Sequence, residues 1–171
     1  DYGVSILNDC KYGHDIHDGV IRLTLLKCAT NPSPKADKGH HEFTYSLRPH
    51  AGSFKQAGTI KLAYDLNNPM TAVKLGKQEG TLPESYSLVS VSDENVVVDT
   101  VKKAEDSDST IVRMYESWNK RTNALKLSFG FDVKSAVLCD LMENEIEKLE
   151  VTDNTVTLPV KPFEIVTIKL N

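Results

Sequence analysis

The sequence predicts an all-β fold, an antiparallel β-sandwich with at most one short helix. Three observations point there. Apolar and polar residues alternate with a period of two through most of the chain, these segments are rich in Val, Ile, Thr, Tyr and Phe, and turn-forming residues separate them.

The first strand is expected at 3–7 and the second at 20–27, with Asp15, Asp18 and Gly19 supplying turn chemistry between them, so that residues 3 to 27 read as a first hairpin. The cleanest alternation lies at 41–48. There Phe43, Tyr45 and Leu47 are expected to face inward, against Glu42, Thr44, Ser46 and Arg48. Between Ser53 and Leu66 the rhythm changes: Phe54, Ala57, Leu62, Ala63 and Leu66 suit a short helix, which Asn67-Asn68-Pro69 would stop. Further strands are expected at 71–75, 85–92, 96–101, 110–117, 124–131, 136–141, 155–158 and 164–170. Residues 30–39, with Pro32 and Pro34, read as a solvated loop, and 105–109 as a charged hairpin turn.

Composition excludes several classes of function. With 20 Lys+Arg against 24 Asp+Glu the net charge is -4, and no basic run marks a nucleic-acid binder. No apolar stretch approaches the roughly 20 residues that cross a bilayer, so no membrane is implied. The opening Asp1-Tyr2-Gly3 is neither a signal peptide nor a start methionine, so the chain reads as one domain, 1–171, excised from a longer protein. Its removal from a larger enzyme should leave an exposed apolar patch. Cys10, Cys28 and Cys139 are odd in number, lack a CxxC pair and suit a reducing compartment. Proline disables the sole glycosylation triplet, Asn31-Pro32-Ser33, and both features agree with a cytoplasmic location.

Candidate chemistry is sparse. His14 and His17 flank a turn, His40 and His41 point to opposite faces of a strand, and neither pair is joined by enough ligands for a metal, so none is assigned. Asp93, Glu94, Glu143, Glu145, Glu147 and Glu150 read as turn or solvated carboxylates, and no nucleophile elbow, phosphate loop or GxGxxG is present. No catalytic residue is assigned.

Three segments go further. Residues 3–15, Gly-Val-Ser-Ile-Leu-Asn-Asp-Cys-Lys-Tyr-Gly-His-Asp, resemble the "ALLNDCKYGYD" stretch of class II α-mannosidases of glycoside hydrolase family 38, bacterial and fungal cytosolic type, with His14 where tyrosine is usual. Residues 37–50 resemble that family's "D-x-G-x-H-x-F-x-Y-x-L-x-PH" strand, and 95–116 its "NVV…KKAED…IVRLYE" hairpin.

The resemblance implies the C-terminal β region of a zinc-dependent retaining α-mannosidase that acts on mannose-containing oligosaccharides. The nucleophile and the zinc ligands would lie in an N-terminal catalytic domain absent from this chain, so no cofactor is expected here. The partners would be that catalytic domain and a helical bundle. Asp9, Lys11, Tyr12, Asp15 and, at a position where relatives often carry arginine, Lys27 are the candidates for the rim of the mannose pocket. Two alternatives stand beside this reading: an independent carbohydrate-binding module, poorly served by one tryptophan and 7% aromatic residues expected mostly at inward positions, and a purely structural or oligomerisation domain.

Overall fold

The computed structural model describes residues 1–171 and divides them into two units, 1–77 and 78–171, each with its own sheets. In the first unit, strand β1 (Tyr2–Asn8) and strand β4 (Tyr45–Ala51) form an antiparallel ribbon, in register from Tyr2 opposite Ala51 to Asn8 opposite Tyr45. Between them in sequence, β2 (His14–His17) and β3 (Val20–Leu23) make a separate hairpin. Its two-residue turn, Asp18-Gly19, has φ angles of 48° and 73°, the positive values that match the twist of flanking strands. The expected hairpin from 3 to 27 is therefore corrected: β1 does not pair with 20–27, and the second expected strand ends at Leu23. Residues 14–17 are strand where turn was expected, since Asp18-Gly19 alone closes the reversal.

The ribbon keeps the expected period but turns its faces over. Ser46, Arg48 and His50 are half-buried, while Tyr45 and Leu47 are 58% and 66% exposed. Hydrogen bonds explain the reversal. Ser5 Oγ lies 3.1 Å from His50 Nε2 and 2.9 Å from Thr59 Oγ1, and Arg48 Nη2 donates to Ala57 O at 3.1 Å. These bonds hold the polar face toward α1 (Thr59–Asn67) and the turn before it. Gly3 makes room for the arrangement, since a Cβ there would stand 2.4 Å from His50 Cε1. The helix occupies the second half of the expected 53–66 region and includes Asn67, which was expected to stop it; it starts after Gly58, which sits at φ 64°.

The second unit is a sandwich. Its strands are β5 (Val89–Val91), β6 (Val96–Lys103), β7 (Thr110–Glu116), β8 (Thr122–Phe129), β9 (Ala136–Cys139), β10 (Glu145–Leu149), β11 (Val151–Thr152), β12 (Thr155–Val160) and β13 (Ile165–Leu170). One sheet runs β10-β9-β13-β7-β6 and the other β11-β12-β8-β5. Val112 and Met114 of β7, Ile168 of β13, Leu125 and Leu127 of β8 and Val156 of β12 meet between the sheets with no exposed surface. Burying each such side chain contributes roughly 1.5–3 kcal/mol. Pro159 sits outward on β12 where the register with β8 shifts, as a residue without an N–H requires. The 105–109 turn joins β6 to β7 as expected. β10 and β11 were not legible, being short and mostly solvent-facing.

Residues 71–75, expected as a strand, belong to none. Met70, Val73, Leu75 and Leu82 lie exposed along an extended stretch, because a strand-like pattern becomes a strand only where a neighbour offers a ladder.

A buried carboxylate pins one end of the sandwich. Glu116 is 1% exposed; its Oε1 accepts from Trp118 N–H at 2.8 Å and Asn95 Nδ2 at 3.0 Å, and its Oε2 from Phe163 N–H at 2.9 Å. Burial acts to raise its pKa, but these donors and the Lys120 backbone outweigh it and hold the group below its ordinary value.

Two outcomes are expected. Leu127→Ala should cost about 2–5 kcal/mol in chemical denaturation, against less than about 0.5 kcal/mol for Leu82→Ala. Glu116→Gln should destabilise by about 1–3 kcal/mol near neutral pH, because its amide group would face a backbone N–H that now has an acceptor. A carboxyl with a depressed folded pKa stabilises above its unfolded value, about 4.3, and loses that contribution as pH falls through the folded value. The glutamine variant should therefore show a flatter acid limb, and equal pH profiles would contradict this.

Candidate functional site

The rim candidates gather around the loop that leaves β1, though not all of them. Asp9 extends the β1–β4 ladder: its N–H donates to Thr44 O at 3.2 Å and its Oδ2 accepts from Thr44 N–H at 2.9 Å. The Cys10 thiol and the Thr44 N–H together lower its pKa. A hydrogen bond to the same Asp9 carboxylate, together with its charge, raises the pKa of the exposed Cys10 thiol. Asn8 Oδ1 accepts from Lys11 N–H, three residues on, at 2.6 Å and bends the loop back on itself. Lys11 Nζ stands 4.5 Å from the centre of the Phe43 ring, a cation–π seat that orders its long side chain. Tyr12 projects into solvent, 90% exposed.

Asp15 and Lys27 lie apart from that loop. Asp15 is on β2, directly opposite Arg22 on β3, and forms a solvated cross-strand ion pair of 2.7 Å. Lys27 is exposed on the irregular segment after β3. Asp9 therefore has a structural assignment and Asp15 is a surface rung, while Lys11 and Tyr12 carry polar groups that face outward. Phe43 was missed as a site residue because the 41–48 alternation assigned it to a core. No local signal marked it, since the face that β4 turns inward is set by partners distant in sequence.

Elsewhere, Glu143 departs from its reading as a solvated carboxylate. It is 9% exposed, accepts from Lys102 Nζ at 2.8 Å and from Glu105 N–H at 2.9 Å, and these, Lys102 foremost, lower its pKa. The network ties the β6–β7 turn to the β9–β10 turn. No three His, Cys, Asp or Glu side chains converge to hold a metal ion, so the residues here do not fit a zinc site.

Family comparisons agree with the two units. Residues 95–168 match the family described as the C-terminal β-sandwich domain of glycosyl hydrolases family 38, and residues 1–35 match that family's C-terminal domain. This chain belongs to the C-terminal region of family 38. It is 39% identical to the Homo sapiens protein named alpha-mannosidase 2C1 and 37% identical to alpha-mannosidase G of Dictyostelium discoideum, in each case across 99% of this chain and 16% of the relative. It therefore spans about a sixth of the length of these relatives. A crystal structure of an α-mannosidase from Enterococcus faecalis V583 has the same fold, with TM-score 0.75 and 23% identity over 99% of this chain and 20% of that one.

The loop chemistry yields one expected outcome. Asp9→Ala removes the charge that disfavours the Cys10 thiolate, so iodoacetamide should label Cys10 faster at pH 8, relative to Cys28, than in the unaltered chain. An unchanged ratio of labelling rates would show that the carboxylate does not govern the thiol.

Proposed function

We propose that this chain is the non-catalytic C-terminal β region of a zinc-dependent, retaining α-mannosidase that removes terminal α-mannosides during oligosaccharide degradation. The observation that carries the reading is coverage: the chain aligns along 99% of itself yet accounts for 16% of relatives named as α-mannosidases. The nucleophile and zinc ligands would then belong to the rest of the enzyme, in a catalytic domain that this region supports together with a helical bundle. A sugar site assembled from loops must be held to within about half an ångström, and packed sheets supply that rigidity. The reading also places the enzyme in the cytoplasm, where the exposed thiols of Cys10 and Cys28 would be kept reduced.

Within this reading, Lys11 and Tyr12 are the residues offered to the rim of the mannose pocket. Lys11 is pre-ordered on Phe43, and Tyr12 presents a ring and a hydroxyl that can stack on and hydrogen-bond to a sugar. Asp9 supports the loop that carries them.

The test uses the full-length enzyme and an aryl α-mannoside. Tyr12→Ala should lower kcat/KM roughly 10-fold or more while the melting temperature stays within about 1 °C. Parallel loss of activity and stability would assign the corner to scaffolding, and no change in either would remove it from the pocket. The isolated chain with added zinc should give no turnover; turnover above a boiled control would overturn the reading.

A further inference from the structure

The ribbon of the first unit has two open edges, and they are not equivalent. The bonds Gly52 N–H to Asp1 O and Asp9 N–H to Thr44 O place the odd-numbered residues of β1 in its hydrogen-bonded pairs with β4. The even-numbered residues therefore direct their backbone N–H and C=O groups away from β4, toward the open edge. On β4 the outward-directed set includes Pro49, which has no N–H to offer a further strand. On β1 the outward set is Tyr2, Val4, Ile6 and Asn8, free of proline and charge, the devices that usually protect an edge. Only the Asn8 end is closed, where Asn67 Nδ2 donates to Asn8 O at 3.2 Å.

A cleft of about 350 Å³ borders this edge. Val4, Ser5 and Ile6 all line it in succession, which fits a cleft beside a strand rather than one over a single face. Ile16, Ile21 and Leu23 of the β2–β3 hairpin and Phe54 also line it, with Asn8, His14 and Thr59 as its further polar residues. An apolar slot alongside unpaired backbone groups has the chemistry of a strand-addition site.

We infer that the open edge of β1 receives an extended strand from the remaining part of the same enzyme, one with apolar residues at alternate positions. The inference rests on the proposal that this chain is part of a larger mannosidase. Two observations favour that source over a second copy. The relatives hold most of their length outside the matched region, and residues 1–35 are the part matched by the family's C-terminal domain rather than by its sandwich domain. A two-stranded ribbon is also marginal alone, and a third strand completes it. From Tyr2 to Ile6 the edge is about 13 Å long, room for four or five residues at roughly 3.3 Å each.

Hydrogen exchange read by mass spectrometry, on the full-length enzyme and on the isolated chain, tests this. Segments containing Val4 and Ile6 should exchange roughly 100-fold or more slowly in the full-length enzyme than in a monomeric isolated chain. Val4→Pro removes an outward N–H without breaking the ladder to β4. It should abolish that protection and lower the melting temperature of the full-length enzyme while leaving that of the isolated chain unchanged. Equal exchange in both proteins would overturn the inference, and so would an isolated chain that dimerises with these amides protected. Mannosidase activity measured on the same full-length sample tests the parent proposal separately: an inactive protein with protected β1 amides would retain the strand and lose the function.

Discussion

A β-strand has two faces and two edges, and the stability of any sheet depends on how many of its apolar faces and unpaired edges are covered. The second unit covers the apolar faces between its two sheets internally, while β10, β6, β11 and β5 remain edge strands. Its two sheets share one layer of Val, Leu, Ile, Met and Phe side chains, and polar side chains occupy much of the outward surface. In the first unit, hydrogen bonds draw the polar face of β1–β4 toward α1, while Tyr2, Tyr45 and Leu47 remain in solvent. Exposed large apolar side chains occur in both units, among them Tyr12, Leu47 and Val73 in the first and Met142, Ile146 and Phe163 in the second.

The ribbon also shapes the loop that holds Lys11 and Tyr12. Its geometry comes from the ladder on one side, through Asp9 and Thr44, and from the ring of Phe43 beneath Lys11. None of these contacts involves a deep cavity. The loop is shaped by its own strand ends, so its outward groups are positioned before any neighbour arrives.

The sandwich was largely legible in the sequence, because β8 and β12 alternate and β6, β7 and β13, though less regular, are rich in Val and Ile. In the first unit the period was legible at 41–48 and the direction was not. Arg48 and His50 gain partners on the inner side, and no local pattern announces a serine forty-five residues away as one of them. The partner of β1 was missed for a related reason, since a strand next in sequence is the default neighbour and here the neighbour is β4. Of the site candidates, the loop around Asp9, Lys11 and Tyr12 was found from its crowding of polar residues and its family motif. Asp15 was included for the same crowding, but a residue facing Arg22 across a hairpin needs no further explanation.

The stretch 69–84 contains the boundary between the two units and takes part in no sheet of either. Residues added or removed there would break no ladder bond, and closing a longer loop costs only about 0.6 kcal/mol for each doubling of its length. Over evolutionary time such a seam is the permissive place for insertions, where genes in this lineage can lengthen, shorten or acquire a short appendage while the strands on both sides keep their registers.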